Sequence, residues 1–256
     1  MPVDFALQDR VATITLNRPE KMNAMDGQMY DEISAHLRRI DEDDEIWVGI
    51  VTGAGERAFT AGADLVSVHG AAENRTGGWT ANRPTRFDLG LEVQKPLIAA
   101  VNGYCLAGGL ELALFCDIRV ASERAQFGTP EVKWNLLHGY GAQRLPEIVG
   151  FSNAMYLLLT GRFIDAPEAY RIGLVQEVVA HDRLMDTALQ VARQITENAP
   201  MAVRMTKELA VRGRDLDLAD GLRLYREMGR VIEASEDVRE GTLAFEQKRP
   251  PAFRGR

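Results

Sequence analysis

Two glutamates carry the first chemical signal in this 256-residue chain. Glu111 sits in Leu110 to Phe115, where every other residue is apolar, so its carboxylate is expected to face a pocket or the interior. Glu131 follows Phe127-Gly128-Thr129-Pro130, in which Thr129 fits a helix cap and Pro130 the first helical position. Acids in a first helical turn are ordinary stabilisers of the helix dipole. Two carboxylates converging on one pocket can instead divide general acid and general base work.

Two turns of small residues supply a possible partner for such a pair. They are Ala61-Gly62-Ala63-Asp64-Leu65 and Gly103 to Glu111 (GYCLAGGLE). Each is read as following a strand and preceding a helix, where backbone N–H groups lack intrahelical partners. Glycine and alanine let a ligand approach the chain closely. Taken singly, such turns only pack tightly; side by side, they could aim two N–H donors at one oxygen.

Other chemistries find little support. Gly53 to Ala58 (GAGERA) fits a dinucleotide fingerprint, with Glu73 twenty residues on, but it is followed by Phe59-Thr60-Ala61-Gly62 rather than by a helix. The sequence has no GxxxxGK[ST], HExxH, CxxC or GxSxG, and its four histidines are scattered. Neither a hydrolase triad nor a metal site is indicated.

The elements that must position these residues alternate. Val11 to Leu16, Ile46 to Thr52, Leu97 to Val101 and Ile118 to Ala121 read as strands, the second and third apolar enough for burial on both faces. Asp26 caps a helix whose Met29, Ile33, Leu37 and Ile40 recur at helical spacing. The acidic run Asp41 to Glu45 reads as a solvated turn. Residues 67–85 are polar and aperiodic, which suits a lid over the adjacent turn. Leu145 to Leu159, Leu184 to Ile195, Ala202 to Val211 and Leu216 to Ile232 read as helices. The class expected is α/β with a helical C-terminal third.

At these residues the chain resembles the crotonase superfamily, the enoyl-CoA hydratases and isomerases. The ordered set is Asn17 to Met25 (NRPEKMNAM), Gly53 to Leu65 (GAGERAFTAGADL), Lys95 to Asp117, Ala125 to Glu131 (AQFGTPE), Leu159-Thr160-Gly161, Gly173-Leu174-Val175 and the tail Phe245 to Arg256. The resemblance implies a spiral of ββα-type repeats over residues 1–195 that holds a CoA-ester site. Residues 196–256 would form a helical region for trimerisation and for covering CoA, in a homotrimer or a dimer of trimers. It implies an oxyanion hole from the N–H groups of Ala63 and Gly108, catalysis by Glu111 and Glu131, and CoA or substrate contacts at Met22, Ala24, Ala61, Asp64, Leu65, Gly139 and Lys248. Lys248, Arg249, Arg254 and Arg256 resemble the segment that covers the CoA phosphates. No metal or redox cofactor is implied, since coenzyme A enters with the substrate.

The reaction implied is addition of water across the C2=C3 bond of a 2-enoyl-CoA. A Δ3-Δ2 enoyl-CoA isomerase, for which one glutamate at Glu131 would suffice, and a non-catalytic CoA-ester-binding protein are the alternatives. Family hydratases carry a stretch resembling GxxPGxGGTQRL after the second glutamate. Here it reads WNLLHGYGAQRL, with Asn135 in place of a glycine, His138 in place of the proline and a large Tyr140. These substitutions point away from short unbranched acyl chains.

Composition bounds the partners. Thirty Lys and Arg against 37 Asp and Glu give a net charge of −7, which disfavours nucleic acid. Cys105 and Cys116 read as buried free thiols of a reducing compartment. No signal peptide and no run of apolar residues long enough to span a bilayer is evident, so a cytoplasmic protein away from membranes is expected.

Overall fold

The structure, a computed structural model, describes residues 1–64 and 86–256. Leu65 and the lid expected at 67–85 lie outside the described residues.

A six-stranded sheet forms the centre, in the order β1 (Val3–Gln8), β2 (Val11–Leu16), β3 (Val48–Gly53), β5 (Leu97–Val101), β7 (Ile118–Ser122), β10 (Glu177–Val179). β1 pairs antiparallel with β2; the other neighbours are parallel. Alternation along the buried strands divides two cores. Val48 and Ile50 of β3, with Ile98 and Ala100 of β5, pack under Leu184, Ala188 and Ala192. Those three residues recur every fourth position on the helix Leu184–Thr196, so they make one apolar stripe. Val51, Leu97, Ala99 and Val101 point the other way, into the larger core that includes the helix α1 (Gly27–Glu42). Burial on both faces explains the unbroken apolar runs.

A second sheet of three-residue strands, β4 (Ala58–Thr60), β6 (Tyr104–Leu106), β8 (Gln126–Gly128) and β9 (Phe163–Asp165), lies beyond the first. The repeat is visible in it. β3 leads to β4, β5 to β6 and β7 to β8, and each short strand is followed by a turn that carries candidate site residues. After β4 comes the turn at 61–64, after β6 the helix α2 (Gly108–Phe115), and after β8 the 3-10 turn Pro130–Trp134. The two small-residue turns therefore end strands of the second sheet, not of the first.

The helices after α2 are α3 (Gly139–Val149), α4 (Phe151–Thr160), α5 (Ala166–Arg171), α6 (Leu184–Thr196), α7 (Pro200–Gly213), α8 (Leu218–Glu233) and α9 (Glu236–Gln247). The helix expected over Leu145 to Leu159 is two helices, broken at Gly150, whose φ of 77° ends the first. Asp26 caps α1 as expected, accepting from Met29 N at 3.0 Å. Asp41 is more than a solvated charge: its carboxylate accepts from Gln94 N at 2.7 Å and fixes the approach to β5. Thr129 does not cap through its side chain; its hydroxyl donates to Leu157 O at 2.9 Å and ties the 3-10 turn to α4. Among the described residues no helix is long and apolar enough to cross a membrane.

Candidate active site

The two small-residue turns meet. Met25 N donates to Gly62 O and Asp64 N to Met25 O, both at 2.8 Å, so this one-residue bridge steps over Ala63. The Ala63 N–H is left without a backbone partner among the described residues. Gly108 opens α2, where the first N–H groups have no intrahelical acceptor. Ala107 before it holds φ 53°, ψ −127°, an unusual conformation for alanine that swings the chain into the helix. A Cβ on Gly108 would stand 3.7 Å from Ala63 N and 2.4 Å from the Tyr30 hydroxyl. The space beside Gly108 is thus bounded by a second amide and a phenol.

The contacts expected around this turn fall partly together. Ala61 N donates to Met22 O at 3.0 Å, and Arg18 holds both Ala24 O (2.9 Å) and Asp64 (3.4 Å). Lys21 reaches Asp64 at 3.8 Å. Met22, Ala24, Ala61 and Asp64 therefore form one neighbourhood, with Ala63 inside it. Gly139 lies at the carboxylate pair instead: a Cβ there would be 3.7 Å from Glu111 Oε1. Lys248 is not brought to this cluster. It is exposed at the end of α9, and the tail after it folds back, with Arg249 on Glu240 (2.6 Å) and Arg256 on Glu236 (3.2 Å). Arg254 and Arg256 line a cavity with Trp47 and Lys95, at the opposite ends of β3 and β5 from the turns.

Glu111 and Glu131 are 8 % and 9 % exposed. Glu111 Oε1 accepts from Gly141 N, at the start of α3, at 3.2 Å. Glu131 Oε1 lies 2.5 Å from His138 Nδ1, and the same nitrogen is 3.9 Å from Glu111 Oε1. Burial pushes the Glu111 carboxyl above its usual range, opposed by His138 and the Gly141 N–H and reinforced by Asp88 and Glu131. Tyr30, buried and stacked on Phe87 at 5.4 Å, has its hydroxyl pushed up by burial and by the Asp88 and Glu111 charges, so it stays a protonated donor. Among the described residues no group of three or more His, Cys, Asp and Glu is arranged to hold a metal ion.

Sequence reasoning read His138 only as a substitution in the acyl-pocket segment, and missed Tyr30 and Asp88. Their signal was weak: Tyr30 is one apolar-face residue of α1, and Asp88 lies in a turn without periodicity. The buried arrangement offers one carboxylate held by a backbone amide, a second tied to an imidazole, and, beside the Tyr30 hydroxyl, the Ala63 and Gly108 amides, which have no backbone partner among the described residues.

The comparisons with known proteins place the chain in a family. The model of the family described as enoyl-CoA hydratase/isomerase matches residues 6–256. The (E)-benzylidenesuccinyl-CoA hydratase of Thauera aromatica is 40 % identical over 256 residues, covering all of both chains. The short-chain-enoyl-CoA hydratase of Clostridium acetobutylicum is 40 % identical over 94 % of this chain and 93 % of its own. The crystal structure of an enoyl-CoA hydratase from Mycobacterium tuberculosis superposes with a TM-score of 0.92 at 35 % identity, covering 100 % of this chain and 99 % of the other. Glu111, Glu131 and the paired turns thus lie in a chain that belongs to the enoyl-CoA hydratase/isomerase family.

Proposed function

We propose that this chain is an enoyl-CoA hydratase, a hydro-lyase adding water across C2=C3 of a 2-enoyl-CoA thioester. The observation that carries the reading is the pair of buried carboxylates, Glu111 and Glu131, 3.9 Å and 2.5 Å from one imidazole nitrogen. An isomerase needs only one of them. Water attack at C3 drives negative charge onto the thioester oxygen. The Ala63 and Gly108 N–H groups receive that charge, each worth about 3–4 kcal/mol by analogy with other oxyanion holes. Glu111, whose burial makes it a better proton acceptor, orients the water and takes its proton. Glu131 delivers a proton to C2. No cofactor enters these steps.

The test is Glu111→Gln and Glu131→Gln assayed on 2-enoyl and 3-enoyl thioesters with product detection by mass spectrometry. Each change is expected to slow hydration by about 10²–10⁴ while thioester binding is kept. Loss of activity only in Glu131→Gln, and only on 3-enoyl thioesters, would replace hydration by isomerisation. The acyl group proposed is larger than a crotonyl chain. Its support is the bulky Tyr140, which stands 6.2 Å from Phe115 on the α2 helix that carries Glu111; the two rings line a cavity of about 300 Å³.

The oligomer proposed is a homotrimer or a dimer of trimers. Helix α8 buries no residue in the isolated chain, yet Leu218, Leu222, Tyr225 and Val231 are exposed along it. The Lys248 tail lies away from its own site, so any contact it makes with CoA belongs to a neighbouring copy. Removal of residues 248–256 is then expected to raise KM for the CoA ester in the assembled enzyme.

A further inference from the structure

His138 stands in the gap between the two carboxylates, and the fold is built around it. Its carbonyl accepts Ala142 N at 3.1 Å at the start of α3, which fixes its backbone. Gly141 clears the ring's volume, since a Cβ there would stand 1.9 Å from His138 Nε2. The ring is 6 % exposed. Glu111 faces it from α2 and Glu131 from the 3-10 turn, while the Asp88 charge acts on both Glu111 and Tyr30. Tyr140 and Arg144, also on α3, pair with each other. Glu131 Oε1 is taken by Nδ1, and Glu131 Oε2 is buried without a partner among the described residues.

We propose that His138 is the positioning residue of the proton-donating glutamate: Nδ1–H pins Glu131 Oε1, so that Oε2 is the oxygen that carries a proton to C2. This rests on the hydratase reading. The water O–H bond breaks, its proton goes to Glu111, and the O–C3 bond forms. The C2=C3 pair moves onto the thioester as an enolate, and the Oε2–H bond breaks as C2–H forms. Oε1 accepts from Nδ1 both as the carbonyl oxygen of the acid and as part of the carboxylate left behind. The contact therefore never has to break, and it tightens as Glu131 gains charge. The imidazole also favours the ionised form of Glu111, the form that accepts the proton from water.

The experiment compares His138→Ala, His138→Asn, Glu111→Gln and Glu131→Gln by kcat, KM and pH profile on a 2-enoyl-CoA. Thermal unfolding and oligomer size are checked for each. His138→Ala is expected to lower kcat about 10–100-fold, the worth of one charge-assisted hydrogen bond, with KM within about threefold. The limb of its kcat/KM profile set by Glu111 should move to higher pH, because that carboxylate loses the imidazole that favours its ionised form. His138→Asn, whose amide can donate to Oε1, should recover most of kcat. A folded His138→Ala with unchanged kcat and an unmoved Glu111 limb overturns the role. If His138→Ala does not fold, His138→Asn decides: kcat within about threefold of the parent upholds the pinning, and a 10–100-fold loss overturns it. Normal hydration by Glu111→Gln and Glu131→Gln would instead sink the hydratase reading itself, an outcome distinct from failure at His138.

Discussion

Gly62 and Gly108 approach more closely than side chains allow. A Cβ on Gly62 would stand 3.0 Å from Gly108 N and 2.7 Å from the Ala107 Cβ. The two turns are therefore held together by contact between backbones. This packing sets Ala63 N near Gly108, where a methyl would be 3.7 Å away. Gly108→Ala is expected to cut kcat by about 10²–10³, since its methyl fills the space between the two amides. Displacement of the Tyr30 hydroxyl, 2.4 Å from that methyl, adds to the loss. Gly62→Ala combines the clash with a φ of 93°, and should lose stability as well as rate. Steady-state kinetics and thermal melts of the two variants separate the effects. A fully active Gly108→Ala would take the oxyanion away from this position.

Asn23 is the brace of the first turn. Its amide donates to Ala54 O (3.0 Å) and Ala58 O (2.8 Å), and its Oδ1 accepts Arg18 N (2.9 Å). It thus joins the 18–25 segment to the chain entering β4, directly upstream of Ala63. Asn23→Ala strands three backbone groups. At about 1–3 kcal/mol for a buried orphan, the variant should melt several degrees lower, at about 2–4 °C per kcal/mol for a chain of this size. Asn23→Asp keeps the acceptor for Arg18 N but turns a carboxylate oxygen, which cannot donate, toward the Ala54 and Ala58 carbonyls, and should melt no higher than Asn23→Ala. Equal melting temperatures for all three proteins would show that the brace carries no weight.

The carboxylates act in one addition in the proposed chemistry, Glu111 on the water and Glu131 at C2, and groups that act together do not add. The double variant Glu111→Gln/Glu131→Gln is expected to cost far less than the product of the single losses. Single-turnover rates on a 2-enoyl-CoA measure this. A fully multiplicative loss would mean that the two glutamates serve separate steps.

Much of this site was legible in the sequence, for identifiable reasons. Glu111 showed because it is the one charge in an apolar helix, and the turns at 61–65 and 103–111 showed because small residues are crowded there. The long strands showed because burial on both faces demands unbroken apolar runs. The second sheet did not: strands of three residues, such as Ala58–Thr60 and Gln126–Gly128, are too short for any period to register. Helix α9 was missed because few of its residues are buried, so little apolar stripe is needed. His138 was visible as a departure from a pattern, but its contact with Glu131 arises from a turn seven residues long that no local rule specifies. Tyr30 and Gly108 lie far apart in the chain and meet only in the folded core.

Glu111 is also expected to cost the fold stability, and the sign can be worked out. Burial raises its carboxyl above the unfolded value, so in the pH range between the two values the folded chain binds more protons than the unfolded one. Its contribution is then most favourable below about pH 4, where the group is protonated in both states. That contribution declines as pH rises through the raised folded value. Glu111→Gln removes the titration while keeping size and a hydrogen-bond acceptor for Gly141 N. The variant and the parent should therefore melt alike in the most acid buffer that both tolerate, and the variant should melt progressively higher as pH approaches neutrality. Each kcal/mol relieved should raise Tm by about 2–4 °C. Scanning calorimetry of both proteins across that range reads the difference directly. A variant less stable than the parent at neutral pH would mean that the Glu111 charge is compensated by His138 and Gly141 more strongly than burial penalises it.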